Sequence, residues 1–208
     1  MIFAVLSAIG SYLLGSIPTS IWVGKWFYGI DIREHGSGNA GATNTLRVLG
    51  AKAAIPVFIF DVFKGFLPVF FAIHYFELYP QVNDKYLFPL LNGIFAVIGH
   101  IFPIYANFKG GKGVATLLGL TLAICSIPAL LSFIVFIIVF ATFRYVSLAS
   151  LTAGTCFPFF VLFFSNFTPA LIIFSILATI LLYITHLKNI KRLINGTENK
   201  IFFKKTAE

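Results

Sequence analysis

The stretch GVATLLGLTLAICSIPALLSFIVFIIVFATF, residues 113–143, contains no charged residue. An uncharged apolar run of this kind reads as membrane-spanning, yet it exceeds the ~20 residues that one crossing needs. Ser126-Ile127-Pro128 lies near its middle, so the run is either one long tilted helix or two short ones. That choice sets the side of the membrane on which everything after Arg144 lies.

The rest of the chain has the same character. Apolar residues make up 59% of the 208 residues and charged residues only 11%, against roughly a quarter charged in an ordinary soluble domain. Further apolar segments run over 2–24, 52–76, 86–106, 146–164 and 168–187. The net charge of +8 would suggest nucleic acid in a soluble chain. In a membrane chain it is the expected surplus of Lys and Arg in cytoplasmic loops.

Splitting the run at Pro128 predicts an all-α integral membrane protein with seven transmembrane helices. The N-terminus is then outside and the C-terminus cytoplasmic, with short inset helices around 113–143. Every Lys and Arg faces the cytoplasm except Lys85 and the intramembrane Lys64, and the basic tail (Lys188, Lys191, Arg192, Lys200, Lys204, Lys205) lies inside. An unsplit run would export both Arg144 and that tail, against the positive-inside bias. One polytopic domain is expected over 1–208, with its first segment a retained span. The stretches 77–85 and 165–169 read as connectors, and the sequon at Asn166-Phe167-Thr168 carries no weight. Cys125 and Cys156 lie in apolar segments and read as packing residues. No metal, cofactor, nucleic acid or obligate protein partner is expected.

Polar residues gather in a few places. In REHGSGNAGATNTLRVLG (33–50), GSGNAG matches the letters of a dinucleotide fingerprint, but a membrane span precedes it and Asp61, at the distance of a ribose-binding acid, lies in the next apolar segment. The sheet context is absent. The loop instead suits an anion: glycines let backbone N–H groups turn toward it, Ser37, Asn39, Thr43 and Asn44 add donors, and Arg47 can grip a phosphate. HIFPIYANFKGGKGVAT (100–116) sets Lys109 and Lys112 around a glycine pair before a helix start, a natural anion site but not a Walker A loop. RYVSLAS (144–150) supplies Arg144, Ser147 and Ser150. HLKNIKRLINGTENK (186–200) supplies His186 and Asn189 one turn apart, then Thr197 and Glu198. DVFKG places Asp61 and Lys64 inside a span, read as a self-neutralising ion pair. All four loop clusters fall on the cytoplasmic face, which implies a site for phosphorylated ligands at the membrane surface.

In order and spacing these five motifs resemble the PlsY family, the acyl-phosphate:glycerol-3-phosphate acyltransferases of bacterial phospholipid synthesis. The resemblance implies transfer of a fatty acyl group from acyl phosphate to the 1-hydroxyl of glycerol 3-phosphate. The products are 1-acyl-glycerol 3-phosphate and inorganic phosphate, and the location is the bacterial cytoplasmic membrane. It implies catalytic roles for Ser37, Asn39, Lys112, His186, Asn189 and Glu198. Substrate binding is implied for Gly38, Gly41, Thr43, Asn44, Arg47, His100, Lys109, Gly110, Gly111, Gly113, Thr116, Arg144, Ser147, Arg192 and Thr197. Within that set, Arg144 pairs with an acid or a phosphate. It further implies that no covalent acyl-enzyme forms and that the substrate's own phosphate takes the hydroxyl proton, with His186 and Glu198 as rival bases. A transporter of a phosphorylated metabolite is the competing reading, but such proteins hold their site near the bilayer midplane between repeated helices, and no repeat is visible.

Overall fold

The computed structural model describes residues 2–78, 85–165 and 168–201. The connector residues 79–84, the sequon residues Asn166 and Phe167, and Lys204 and Lys205 lie outside that set. All regular structure among the described residues is helical: α1 (Ile2–Gly15), α2 (Thr19–Tyr28), α3 (Ala42–Leu49), α4 (Ala51–Leu78), α5 (Leu87–Ile101), α6 (Val114–Ile124), α7 (Ser126–Phe143), α8 (Val146–Phe164), α9 (Pro169–Thr185) and α10 (Leu187–Ile194). Among the described residues five stretches are long and apolar enough to cross a bilayer: α1 with α2, α4, α5 with the turn after it, α7 and α8. A sixth appears if α9 and α10, bent by 63°, count as one span.

The run 113–143 does divide, at Cys125 rather than at Pro128. Its halves are unequal: α6 has 11 residues and α7 has 18. Pro128 sits in the first turn of α7, where its missing N–H has no intrahelical acceptor to lose. Hence α7 needs no shortening and can cross alone, contrary to the expectation of two short halves. At ~1.5 Å per residue α6 reaches only about half of a ~30 Å hydrocarbon core.

What α6 lacks in length it recovers in burial. Leu117 and Leu120 belong to one apolar cluster with Val69 of α4, Leu90 and Val97 of α5, Phe157 and Val161 of α8, and Leu171 and Phe174 of α9. A Cβ on Gly119 would stand 1.9 Å from Val62 O of α4, and one on Gly65 would stand 2.0 Å from Thr116 O of α6. The α1–α5 pair repeats the device: a Cβ on Gly15 would lie 2.1 Å from Ala96 O, and one on Gly99 would lie 2.3 Å from Tyr12 O. Close backbone approach through small residues is how helices associate in lipid, where apolar surface alone gives no drive. The large side chains that face outward, such as Leu6, Phe71, Ile138 and Phe163, are exposed and form the lipid-facing belt.

Candidate active site

The loop 29–41 is organised by two side chains. Asp31 accepts from the Arg33 backbone N–H at 3.1 Å and holds the Arg33 guanidinium with both oxygens (3.0 and 2.7 Å), while Arg33 Nη1 donates to Ala106 O at 3.1 Å. The first polar loop is thereby tied to the turn Ile104–Ala106. Asn44, buried in α3, does the internal work. Its Oδ1 accepts from Ser37 N (2.8 Å) and Ser37 Oγ (3.1 Å), and its Nδ2 donates to Ile32 O (2.9 Å) and His35 O (3.0 Å). Gly36 and Gly38 have φ of +62° and +73°, a region side chains avoid. A Cβ on Gly36 would lie 2.4 Å from Asn44 Oδ1, so glycine is what lets the loop close over that amide.

The second loop folds back onto α5. Gly110 N donates to Ile101 O and Gly111 N to His100 O, each at 3.1 Å. Lys112 then extends away and its Nζ donates to Asn189 Oδ1. Asn189 Nδ2 donates to Glu198 Oε1 at 2.7 Å, Ser147 Oγ donates to the same oxygen at 2.9 Å, and Arg192 Nε meets Oε2 at 2.8 Å. One carboxylate thus gathers α8, α10 and the segment after α10. Ile201 N donates to Arg144 O at 3.0 Å, and the buried Ile201 side chain holds that segment across the α7–α8 turn.

These pieces enclose a cavity of about 380 Å³. Twelve of the sequence-predicted residues line it: Ser37, Asn39, Gly41, Thr43, Asn44 and Arg47 from the first cluster, His100 and Lys112 from the second, Ser147 from the third, and His186, Asn189 and Glu198 from the fourth. The first turns of α3 and α6 also border it through Ala42, Val114 and Ala115, so two helix N-termini stand at its edge. Phe58 of α4 and Phe136 and Phe140 of α7 add an apolar part to the lining. There it adjoins a second, almost wholly apolar cavity of about 110 Å³, with which it shares Phe58, Val114, Ala115, Phe136 and Ser150.

Nine predicted residues lie off the lining. Gly38, Gly110, Gly111 and Gly113 shape the loops. Lys109 is exposed outside the cavity. Thr116 is fully buried behind it, its Oγ1 without a partner. Arg192 acts from behind through Glu198, and Thr197 is exposed, its hydroxyl only 3.5 Å from Arg192 O. Arg144 adopts a left-handed φ of 65° and forms no ion pair with an acid among the described residues. Conversely Asp61, read from sequence only as half of an ion pair, lines the cavity, as do the three phenylalanines. A charge placed in a span beside a lysine was the available signal for Asp61; the aromatic wall had none, because phenylalanine is everywhere in this chain.

The electrostatics favour an anion. Arg47 lines the cavity and its buried Nε has no hydrogen-bond partner. Burial pushes the Lys112 ammonium down to about 8; Glu198 opposes that shift, and the Arg192 and Arg47 charges reinforce it. Burial pulls the Glu198 carboxyl upward, but hydrogen bonds from Asn189 and Ser147 and the Arg192 charge prevail and hold it below its ordinary value. His186 Nδ1 stands 2.8 Å from Leu182 O. A carbonyl only accepts, so Nδ1 carries a proton and Nε2 is the nitrogen left to meet a ligand.

The model of the family described as Glycerol-3-phosphate acyltransferase matches residues 5–196. A glycerol-3-phosphate acyltransferase of Macrococcus caseolyticus is 48% identical over 195 residues, covering 94% of this chain and 95% of the relative. One from Fusobacterium nucleatum is 42% identical over 193 residues, covering 93% and 95%. Among solved structures, PlsY, described as an integral membrane glycerol 3-phosphate acyltransferase, superposes in its glycerol 3-phosphate form with a TM-score of 0.87 at 38% identity, covering 96% of each chain. Its lysophosphatidic acid form gives 0.83.

Proposed function

The chain belongs to the glycerol-3-phosphate acyltransferase family, and on that footing we propose that it acylates glycerol 3-phosphate at the 1-hydroxyl with an acyl phosphate as donor. The observation that carries this reading is one cavity lined by both cationic and apolar side chains and continuous in its lining with an apolar neighbour, assembled from four polar segments distant in the chain. An acyl phosphate calls for both, with a dianionic head on a fatty tail. Arg47 and Lys112 hold the two phosphates, with the N-terminal turns of α3 and α6 beside them. The tail lies against Phe58, Phe136 and Phe140 and enters the apolar side cavity. Asn189, Glu198 and Ser147 position the glycerol moiety. The protein crosses the membrane seven times, with α6 as a short seventh element, and the site and C-terminus face the cytoplasm.

In the reaction the 1-hydroxyl oxygen attacks the acyl carbon, and the acyl–oxygen bond to phosphate breaks. The hydroxyl proton passes to the departing phosphate, which leaves as inorganic phosphate. An acyl phosphate is already activated, so the protein's part is to align the two substrates and offset developing charge. Glu198 suits positioning better than proton abstraction, since three donors hold it ionised. Cys125 lies in the apolar core and neither cysteine lines the cavity, which supports direct transfer over a thioester intermediate.

Purified protein supplied with radiolabelled glycerol 3-phosphate and, in turn, acyl phosphate, acyl-CoA and acyl carrier protein tests the donor. Product should form with acyl phosphate alone and fall about a hundredfold or more in Lys112→Ala. Turnover with a thioester donor only would overturn the reading.

A further inference from the structure

We infer that Asp61, Lys64 and His100 form a positioning cluster in and behind the cavity wall that sets the reach of Lys112. This rests on the reading of Lys112 as a phosphate-holding cation. Asp61 and Lys64 are almost wholly buried within α4, with Nζ 2.8 Å from Oδ1. Lys64 Nζ also donates to Ile17 O at 2.9 Å, a carbonyl at the α1–α2 break that accepts from Thr19 N as well. Asp61 Oδ1 accepts from Thr19 Oγ1 at 3.4 Å and lies 3.6 Å from His100 Nδ1 on α5.

The His100 ring carries the connection onward. A Cβ on Gly111 would stand 2.1 Å from His100 Nε2, so the Gly111 backbone rests directly on the imidazole, and its N–H donates to His100 O. The next residue is Lys112, whose Nζ reaches Asn189 on α10. The Asp61 carboxylate is thus bonded to Lys64 and to Thr19 beyond the α1–α2 break, and it faces the buried His100 Nδ1, which has no hydrogen-bond partner; the far side of that ring supports the loop that delivers the cation. A buried ion pair adds little stability over well-packed apolar residues of similar size. Here the Asp61 member of the pair and its neighbour His100 border the cavity, with Lys64 buried behind them. Fixing geometry is the work left for it.

Three variants and their combinations with Lys112→Ala test the cluster, using whichever donor the wild type turns over. Asp61→Asn strands the Lys64 charge and should lower both the melting temperature and activity. Asp61→Leu with Lys64→Met removes both charges and refills the volume; its melting temperature should return to within a few degrees of wild type while kcat/KM stays about tenfold or more down. Adding Lys112→Ala to that pair should then cost far less than it costs the wild type, because Lys112 is already displaced. His100→Gln, which leaves the ion pair in place, should show the same non-additivity and covers the case in which the paired variant does not fold. Wild-type kcat/KM in either folded variant, or losses that simply multiply with Lys112→Ala, would sink the proposal. Failure of acyl phosphate as donor would leave the cycle intact and refute only the donor reading.

Discussion

Helices α6 and α7 are cut from one uncharged stretch, yet they live in different surroundings. The shorter α6 is packed by α4, α5, α8 and α9, and its first turn borders the cavity. The longer α7 turns most of its surface outward: Ile134, Ile137 and Ile138 are exposed, and only Pro128 and Ala129 are buried. Lipid tails and a protein interior are equally apolar, so hydrophobicity does not distinguish the two roles. Gly119 does. Only a residue without a side chain lets α6 press its backbone against Val62 of α4. An interior helix can be short because its ends need not reach both membrane surfaces; a lipid-facing helix must cover the hydrocarbon thickness.

The interior packing of α6 depends most on Gly119. Gly119→Leu drives a side chain into the α4 backbone, which has no rotamer by which to yield, and should abolish monodisperse protein in size-exclusion chromatography. Next comes the one face of α7 that looks inward. Phe136→Ala should leave folding intact and raise KM for the acyl donor about tenfold, with KM for glycerol 3-phosphate little changed; equal changes in both would mean that Phe136 does not contact the tail.

A smaller effect reads the charge at the N-terminal side of α6. Activity that needs protonated Lys112 should fall as pH rises through about 8. Glu198 supports the charged form, so Glu198→Gln should move that alkaline midpoint to lower pH, whatever it does to the maximal rate. A midpoint that stayed put or rose would separate Glu198 from Lys112. Smallest of all is Ile138→Ala on the lipid face of α7, expected within about 0.5 kcal/mol of wild type in thermal unfolding, because lipid fills the vacated space.

Much of the site was legible because polar residues stand out against an apolar chain. Ser37, Asn39, Arg47, Lys112, Ser147, His186, Asn189 and Glu198 were all singled out from sequence, and all border one cavity. Lys109 and Lys112 could not be told apart: both flank the glycine pair, and only the folding of Gly110 and Gly111 onto α5 decides that one lysine turns outward and the other inward. Asn44 read as a donor for phosphate, yet its amide groups are engaged inside the loop. Its four short contacts come from residues up to twelve positions away, which no motif records. The break at Cys125 was missed by three residues, since proline marks where a helix can begin as well as where one ends.

By itself the sequence determined that this chain is helical and lies in a membrane, because long uncharged runs have no other way to satisfy their backbone there. It also marked out most of the polar side chains that line the cavity, since any polar group kept in such a chain stands out. Tertiary structure alone decided which apolar helix is interior and which lysine points inward, and it brought Asp61 to the cavity wall. Those outcomes depend on backbone contacts at glycines and on distances between segments far apart in the chain, and neither is written in the order of residues.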